Sequence, residues 1–301
     1  MVENIWEIDN QRLLFNHNIV LYDAKSLKAC TSRASGAFIS LFSAEEASEN
    51  FYSLGKVSSV SRIMCCYRNN PFFMSVAFGD NISAVRSETL CLLIEKYDGR
   101  YLLLLPIFDD KSRGALKFTD DELQIVGYTG CKEINVSTGR LLYIIEGNNP
   151  YKMMDIAAEE IREEINSFEL RVNKTFPEYF NYLGWCTWNA FYFDVDEEKY
   201  LSVLKEYKEN GVQLGMTLID DGWLTTDNIL PIGARTLSSF EENKTKFKNG
   251  FKKLSDTAKN TYGIKQFMVW HASMGYWAGT KINEYKMPPT KINFPSCLSK
   301  S

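Results

Sequence analysis

The sequence has few of the residues on which metal and nucleic-acid chemistry depend. It contains only two histidines, His17 and His271, and no Cys-x-x-Cys pair. No set of ligands therefore lies at the spacing of a zinc site, and we predict neither a metal nor a cofactor. The 34 basic and 38 acidic residues leave a net charge of −4 without a long basic run. That balance gives no support for a nucleic acid or an anionic membrane as a partner.

Signals for secretion and for membrane insertion are also lacking. The seven cysteines are odd in number and irregularly spaced, and Cys65 and Cys66 are adjacent; this is typical of reduced thiols rather than a disulfide framework. Residues 1–7 have neither a basic nor an apolar region of the kind found in a signal peptide. The longest apolar run, residues 101–108, is too short to span a bilayer. These features predict a cytoplasmic protein.

The first half of the chain has the pattern of an antiparallel β domain. Apolar runs at residues 90–94 and 101–105 flank Asp98-Gly99, a strong hairpin signal. Thr138-Gly139 precedes the apolar run 141–145 and predicts a second turn. Many short strands joined by turns predict a β-sandwich.

A helix is predicted after Pro150, because the apolar spacing changes to that of a helical face. The polar stretch 171–178 then predicts a linker. We therefore expect two domains: a β-sandwich with a trailing helix over residues 1–170, and a second domain over 176–301. The predicted helical face consists of Met154, Ala158, Ile161, Ile165 and Phe168.

From Tyr182 onward, strands alternate with helices. The first predicted strand runs from about Tyr182 into the aromatic loop, and the next two run over residues 216–219 and 266–270. One helix begins near Asp196 and stops at Gly211, and the next stops at Gly263. This βαβαβ order implies a parallel sheet or barrel. The inward residues are expected to be Tyr200, Leu204 and Tyr207 in the first helix, and Phe251, Leu254 and Ala258 in the second.

Aromatic residues and carboxylates follow the predicted strands at the point where each strand ends. Asp220-Asp221-Gly222-Trp223 follows the second strand, and an aromatic loop over 185–192 follows the first. Sugar rings stack their C–H faces on indoles and donate their hydroxyls to carboxylates. In a (β/α)8 barrel the site lies at this end of the strands. The sequence therefore predicts a sugar pocket.

Three blocks of the second domain resemble the raffinose synthase and alkaline α-galactosidase (seed imbibition protein) family, which is related to glycoside hydrolase family 36. Residues 184–192 resemble its GWCTWDAFY segment, residues 219–223 match IDDGW, and residues 269–277 resemble VWHALxGYW. In the first domain, residues 64–68 resemble MCCFR, and residues 113–116 resemble an R-x-x-L segment. Three blocks in the right order are highly specific.

The resemblance implies an N-terminal β-sandwich followed by the first strands and helices of a (β/α)8 (TIM) barrel. It also implies an α-galactosyl glycoside hydrolase or galactosyltransferase of raffinose-family oligosaccharide metabolism, with an α-galactoside as its small-molecule partner. Asp220 and Asp221 would bind the C4 and C6 hydroxyls of galactose. In the intact family one carboxylate attacks the anomeric carbon and a second protonates the leaving oxygen.

The chain departs from the family in three respects. Asn189 stands where the family usually has Asp, and Leu224 replaces a usual Gln. A complete barrel needs roughly 200 residues or more, which is more than follow Tyr182. By resemblance the nucleophile and the acid/base lie beyond Ser301, so we assign no catalytic residue and expect the chain as given to be inactive. The alternative is a non-catalytic, sugar-binding or inert truncated product.

Each candidate site residue also has a plain structural explanation. Asp220-Asp221-Gly222 is a common turn sequence. Neighbouring strand residues point to opposite faces, so Asp220 and Asp221 cannot flank one glycosidic bond. Tryptophans are more often packed than exposed, and a histidine at a strand end is as often packed as in a pocket. Cys186 lacks a nearby histidine to activate it, so we discount it as a nucleophile. The predicted substrate-binding residues are Asp220, Asp221, Trp223, Trp185, His271 and Trp270.

Three expectations follow for the second domain. Asp220, Asp221, Trp223, Trp185 and His271 should cluster at one end of the parallel sheet. The tail from about Lys281 lacks helical or strand periodicity and should be poorly packed. The strand at 266–270 is apolar and would lie at an open edge, which favours self-association.

Overall fold

The computed structural model describes residues 4–70, 73–130, 132–228, 235–272, 276 and 280. The predicted tail from Lys281 lies outside these residues. The chain divides into two compact units, with the division between Lys174 and Thr175. No helix in the described part of the chain is long and apolar enough to cross a membrane.

The first unit is built almost entirely from antiparallel strands. Its described residues form thirteen strands, one α-helix and two short 3-10 turns, at Ile82–Ala84 and Arg171–Asn173. The strands are β1 (Trp6–Asp9), β2 (Arg12–Phe15), β3 (Asn18–Tyr22), β4 (Leu27–Ser32), β5 (Gly36–Ala47), β6 (Glu49–Val57), β7 (Val60–Asn70), β8 (Phe73–Gly79), β9 (Thr89–Lys96), β10 (Tyr101–Pro106), β11 (Arg113–Thr119), β12 (Glu122–Tyr128) and β13 (Val136–Gly147).

These strands join into one sheet that nearly closes on itself. The order is β1-β2-β3-β6-β12-β11-β9-β10-β13-β5-β4, and β7 branches from β9 and pairs with β8. The two ends of this path meet through side chains: Trp6 donates from Nε1 to the Ser35 carbonyl at 3.1 Å, and Ser32 Oγ donates to the Trp6 carbonyl at 3.2 Å. The predicted antiparallel β architecture is confirmed, as one continuous curved sheet around an apolar core.

The two predicted turns have opposite outcomes. The Asp98-Gly99 hairpin is confirmed, since β9 and β10 pair across it and Gly99 has a φ of +81°. The second predicted turn is wrong, because Thr138 and Gly139 lie inside β13, where its pairing with β5 shifts register. A Cβ at Gly139 would meet Leu141 Cγ at 2.8 Å. Glycine is therefore needed there for close packing within a strand rather than for a turn.

Helix α1 (Pro150–Ile165) forms where the sequence predicts it, and part of its predicted inward face packs against the core. Asn149 caps its N-terminus by accepting from the Tyr151 amide at 3.0 Å. The buried residues are Met153, Ala157 and Glu160, whereas the predicted Met154 is 45% exposed. Ile161 and Ile165 pack against the core as predicted, whereas Met154 and Phe168 are exposed, so the prediction is right for only part of the face.

Glu160 explains the error, because a carboxylate occupies the inward face. Its side chain accepts from the Ser35 amide at 2.8 Å, the Gly36 amide at 3.1 Å and the Tyr143 hydroxyl at 2.7 Å. A buried carboxylate is tolerated when donors surround it in this way. A purely apolar periodicity cannot detect such a residue.

The second unit has the predicted strand–helix alternation, with a hairpin that the sequence does not reveal. Its short 3-10 turns lie at Glu178–Asn181 and Tyr192–Asp194. The missed hairpin pairs two strands between the second parallel strand and the helix that follows. The elements are β14 (Gly184–Cys186), α2 (Trp188–Phe191), α3 (Glu197–Glu209), β15 (Met216–Ile219), β16 (Leu224–Asn228), β17 (Arg235–Glu242), α4 (Gly250–Tyr262) and β18 (Gln266–Val269).

The two long helices confirm their predicted ends and inward residues. Asp196 caps α3 by accepting from the Lys199 amide at 2.8 Å. Gly263 ends α4 in the left-handed conformation, with a φ of +74°. Tyr200 and Leu204 are buried from α3, as are Leu254 and Ala258 from α4.

The three parallel strands lie in the order β14-β15-β18, and their side chains sort onto two faces. The helices pack on one face, where Trp185, Thr217 and Phe267 stand side by side. Tyr200 of α3 contacts all three: its hydroxyl bonds Thr217 Oγ1 at 2.7 Å, and its ring lies 5.9 Å from each of the two aromatic rings. Cys186, Leu218 and Met268 form a row on the opposite face.

Candidate functional site

Asp220 follows the last residue of β15 and is held by the loop that follows β14. Its amide donates to Thr187 Oγ1 at 3.0 Å, and the Thr187 amide in turn donates to the Leu218 carbonyl at 3.1 Å. One carboxylate oxygen, Oδ2, accepts from the Cys186 thiol at 3.1 Å, and the other, Oδ1, accepts from the Asp221 amide at 2.7 Å. The side chain remains partly exposed. A carboxylate is thus presented at the strand end in a fixed orientation.

Asp221 is buried, with 4% of its surface exposed. Its Oδ1 accepts a hydrogen bond of 2.5 Å from the hydroxyl of Tyr276, which is itself buried. Burial, and then the bond to Asp221, raise the pKa of Tyr276. The tyrosine therefore stays protonated and acts as the donor.

Gly222 turns the chain after the two carboxylates with a φ of +113°. A Cβ there would lie 2.6 Å from the Phe193 carbonyl oxygen. Lys246 links the same two segments, because its Nζ donates to the Gly222 carbonyl at 2.9 Å and to the Phe193 carbonyl at 2.5 Å. Burial lowers the pKa of this lysine. These contacts hold the turn at Gly222 against Phe193, which directly follows the aromatic loop.

Trp223 and Trp270 are joined by a hydrogen bond. Trp223 is 5% exposed, its ring packs 5.0 Å from that of Phe251, and its Nε1 donates to the Trp270 carbonyl at 2.7 Å. The Trp270 amide donates to the Ile219 carbonyl at 2.8 Å, and the Trp270 ring lies 5.9 Å from that of Tyr276. Trp223 therefore packs in the core and supports the end of β18.

His271 is exposed beside this pair. Its ring stacks on Phe240 at 5.5 Å and lies 6.3 Å from that of Trp223. Its Nδ1 is 2.7 Å from the Ala272 carbonyl, which favours the tautomer with the proton on Nδ1. Nε2 would then be the acceptor.

A continuous set of contacts connects five of the six predicted site residues. It runs from Asp220 through Asp221 and Tyr276 to Trp270, Trp223 and His271. Trp185 lies apart, on the helix-covered face of the sheet. Its ring is 5.9 Å from that of Tyr200, and 6.3 Å from those of Tyr207 and Phe191. Trp188 packs against Tyr192 and Phe193, and Trp277 lies outside the described residues.

The Cys186 thiol lies in the same region. Partial desolvation raises the pKa of Cys186, and the bond to Asp220 adds to this effect. The thiol is therefore mostly protonated at neutral pH and is a poor nucleophile. In the part of the chain that the structure describes, no group of three or more His, Cys, Asp or Glu side chains is arranged to hold a metal ion.

Sequence reasoning missed three residues that shape this region: Thr187, Lys246 and Tyr276. Thr187 lies within the aromatic loop and Tyr276 within the third family-like block, so both had a local signal. Lys246 had none, because its contacts with Phe193 and Gly222 span 53 and 24 positions.

The chain belongs to the family described as raffinose synthase or seed imbibition protein Sip1, whose model matches residues 8–301. It is 28% identical over 296 residues to a probable galactinol–sucrose galactosyltransferase 1 of Arabidopsis thaliana, with 86% of this chain and 39% of the relative covered. It is 32% identical over 160 residues to a stachyose synthase of Pisum sativum, with 52% of this chain and 19% of the relative covered. The chain thus spans about two fifths or less of these relatives.

A solved structure of an α-galactosidase from Thermus thermophilus, bound to p-nitrophenyl α-D-galactopyranoside, is also similar. The match covers 80% of this chain and 45% of that one, at 16% identity and a TM-score of 0.46.

Proposed function

We propose that this chain is part of an enzyme that acts on α-galactosides, as a galactosyltransferase or hydrolase of raffinose-family oligosaccharides, and that it binds the galactosyl group. Family membership supports the substrate class, since relatives named for galactinol, sucrose and stachyose match much of the chain. The single observation that carries the proposal is the partly exposed Asp220 carboxylate, fixed at the C-terminal end of a parallel strand. Free cysteines at five described positions support the cytoplasm as its location.

We further propose that β14, β15 and β18 are the first three strands of a (β/α)8 barrel. Their parallel pairing in chain order, with α3 and α4 on one face, supports this assignment. The row Cys186, Leu218 and Met268 would then face the barrel interior. Asp220 would lie at the end of the barrel where sites are found.

The two carboxylates take different roles in this proposal. Asp220 accepts sugar hydroxyls directly, because it is accessible and each of its oxygens can accept a second bond. Asp221, oriented by Tyr276, lies deeper and accepts a hydroxyl that reaches into the turn. Trp270 and His271 line the site, whereas Trp185 and Trp223 support it through packing.

We predict that Asp220→Asn weakens the binding of methyl α-D-galactoside at least about tenfold. The amide replaces a charged acceptor, and hydrogen bonds to charged groups contribute about 1.5–3 kcal/mol. Binding is measured by isothermal titration calorimetry or by tryptophan fluorescence. The control is Asp256→Asn, which removes an exposed carboxylate of α4 that pairs with Lys252. Equal affinity in the two variants would reject Asp220 as a sugar ligand.

We also predict no turnover of p-nitrophenyl α-D-galactopyranoside by residues 1–301. Retaining glycosidases place two carboxyl groups about 5–5.5 Å apart on either side of the bond. Here the two site carboxylates are sequence neighbours, and one of them is buried beneath Tyr276. Binding without turnover is the expected result, and it is also what a non-catalytic sugar-binding chain would give. Release of p-nitrophenol that disappears in Asp221→Asn would contradict this prediction.

A further inference from the structure

We propose that Cys186 is a positioning residue for Asp220, and that its thiol fixes the carboxylate in the orientation that receives a sugar hydroxyl. This inference rests on the proposed function. It concerns a residue that sequence reasoning discounted as a nucleophile. Cys186 would act through its hydrogen bond to Asp220, and its role requires no covalent step.

The thiol contacts the Asp220 carboxylate directly, since it donates to Asp220 Oδ2 at 3.1 Å. The Asp220 carboxylate in turn raises the pKa of the thiol, in addition to the larger effect of partial desolvation. The proton therefore stays on sulfur at neutral pH.

The remaining contacts of Asp220 show why this bond decides its orientation. Its amide is held by Thr187 Oγ1 and its Oδ1 by the Asp221 amide. These two contacts fix the backbone and one oxygen. In the described part of the chain the thiol contacts Oδ2, so it sets the rotation of the carboxylate plane. A thiol is a weak donor, which leaves the oxygen able to accept a hydroxyl as well.

Cys186 also lies where the sugar would approach. It is exposed, and it shares a face of the sheet with Leu218, its register partner in β15. The side chain that orients the acceptor would therefore also touch the galactosyl ring.

The contact itself is tested without any sugar, by the rate at which iodoacetamide alkylates Cys186 at pH 8. In Asp220→Asn the carboxylate no longer favours the thiol, so more thiolate forms and alkylation should be about threefold faster or more. The rate is read by peptide mass spectrometry, with Cys66 of β7 in the same samples as the control. An unchanged or slower rate at Cys186 would overturn the proposal.

The role in binding is tested with Cys186→Ala and Cys186→Ser, using methyl α-D-galactoside as the probe. We expect Cys186→Ala to bind about threefold to tenfold more weakly, and Cys186→Ser, which keeps a donor, to stay within about twofold of the unchanged chain. Cys66→Ala is the matched control, and circular dichroism verifies folding. If the unchanged chain binds and Cys186→Ala binds equally well, this inference fails alone. If the unchanged chain does not bind, the proposed function fails as well, whereas the alkylation result still shows whether the thiol contact exists.

Discussion

Replacing Glu146 with leucine is expected to lower the free energy of unfolding of the first unit by about 3–5 kcal/mol, because it leaves a buried cation without its partner. Glu146 and Lys96 form an ion pair of 2.5 Å between side chains that are 1% and 3% exposed. Arg100 also bonds Glu146, but it lies at the hairpin turn and retains Asp98 at 2.7 Å. Urea denaturation, followed by far-UV circular dichroism, measures the change.

The double variant Lys96→Met/Glu146→Leu tests the net contribution of the ion pair to stability. It removes both charges, so neither of them is left buried without a partner. Apolar side chains of similar volume can replace a buried pair at little net cost, so we expect stability within about 1.5 kcal/mol of the unchanged chain. The exposed pair Lys252–Asp256, with side chains 93% and 56% exposed, is the control. Removing that pair should change stability by at most about 0.5 kcal/mol. Additive losses in the double variant would mean that the two buried charges do not interact.

We expect the second large effect from Gly222→Ala, which should lower both the stability of the second unit and its affinity for the sugar. The new Cβ would meet three backbone atoms of Phe193 at 2.6–2.9 Å, at a φ of +113° that L residues rarely adopt. We expect a loss of about 2–4 kcal/mol in the unfolding of the second unit. Binding of methyl α-D-galactoside should fall at least about tenfold, because Asp221 directly precedes the displaced residue.

Gly211→Ala provides the comparison within the same unit. Gly211 also has a positive φ, +72°, but a Cβ there would have no neighbour within 4 Å. Its substitution should cost about 1 kcal/mol, the effect of conformation alone, and leave binding unchanged. If the two variants lose the same stability, the close approach of Phe193 to Gly222 has no energetic role.

Local signals account for the parts of the second unit that the sequence predicted well. Asp196 before α3 and Gly263 after α4 are capping residues whose function is set within one helical turn. The apolar run of β15, ending in Asp220 and Asp221, likewise needs only its neighbours to be recognised. The family-like blocks then placed the carboxylates at a strand end.

Errors arose where distant contacts override the local pattern. Glu160 is buried because amides and a hydroxyl from β5, its preceding turn and β13 surround it. Gly139 lies within a strand because β13 pairs there with β5, which places Gly139 opposite Leu41. The packing of Trp185 against Tyr200 and of Trp223 against Phe251 likewise depends on helices that follow later in the chain. None of these partners can be read from the spacing of one segment.

The two faces of the short parallel sheet differ in which amino-acid substitutions they can accept. Along β14, Trp185 packs under the helices while the next residue, Cys186, contacts Asp220. Along β15, Thr217 and Ile219 are buried with the helices, and Asp220 follows on the other face. Under the proposed function, alternate positions of one strand therefore serve folding and recognition separately. Substitutions at the recognition positions can change ligand preference while the helix-packed layer keeps the same contacts, so specificity can diverge without a matching loss of stability.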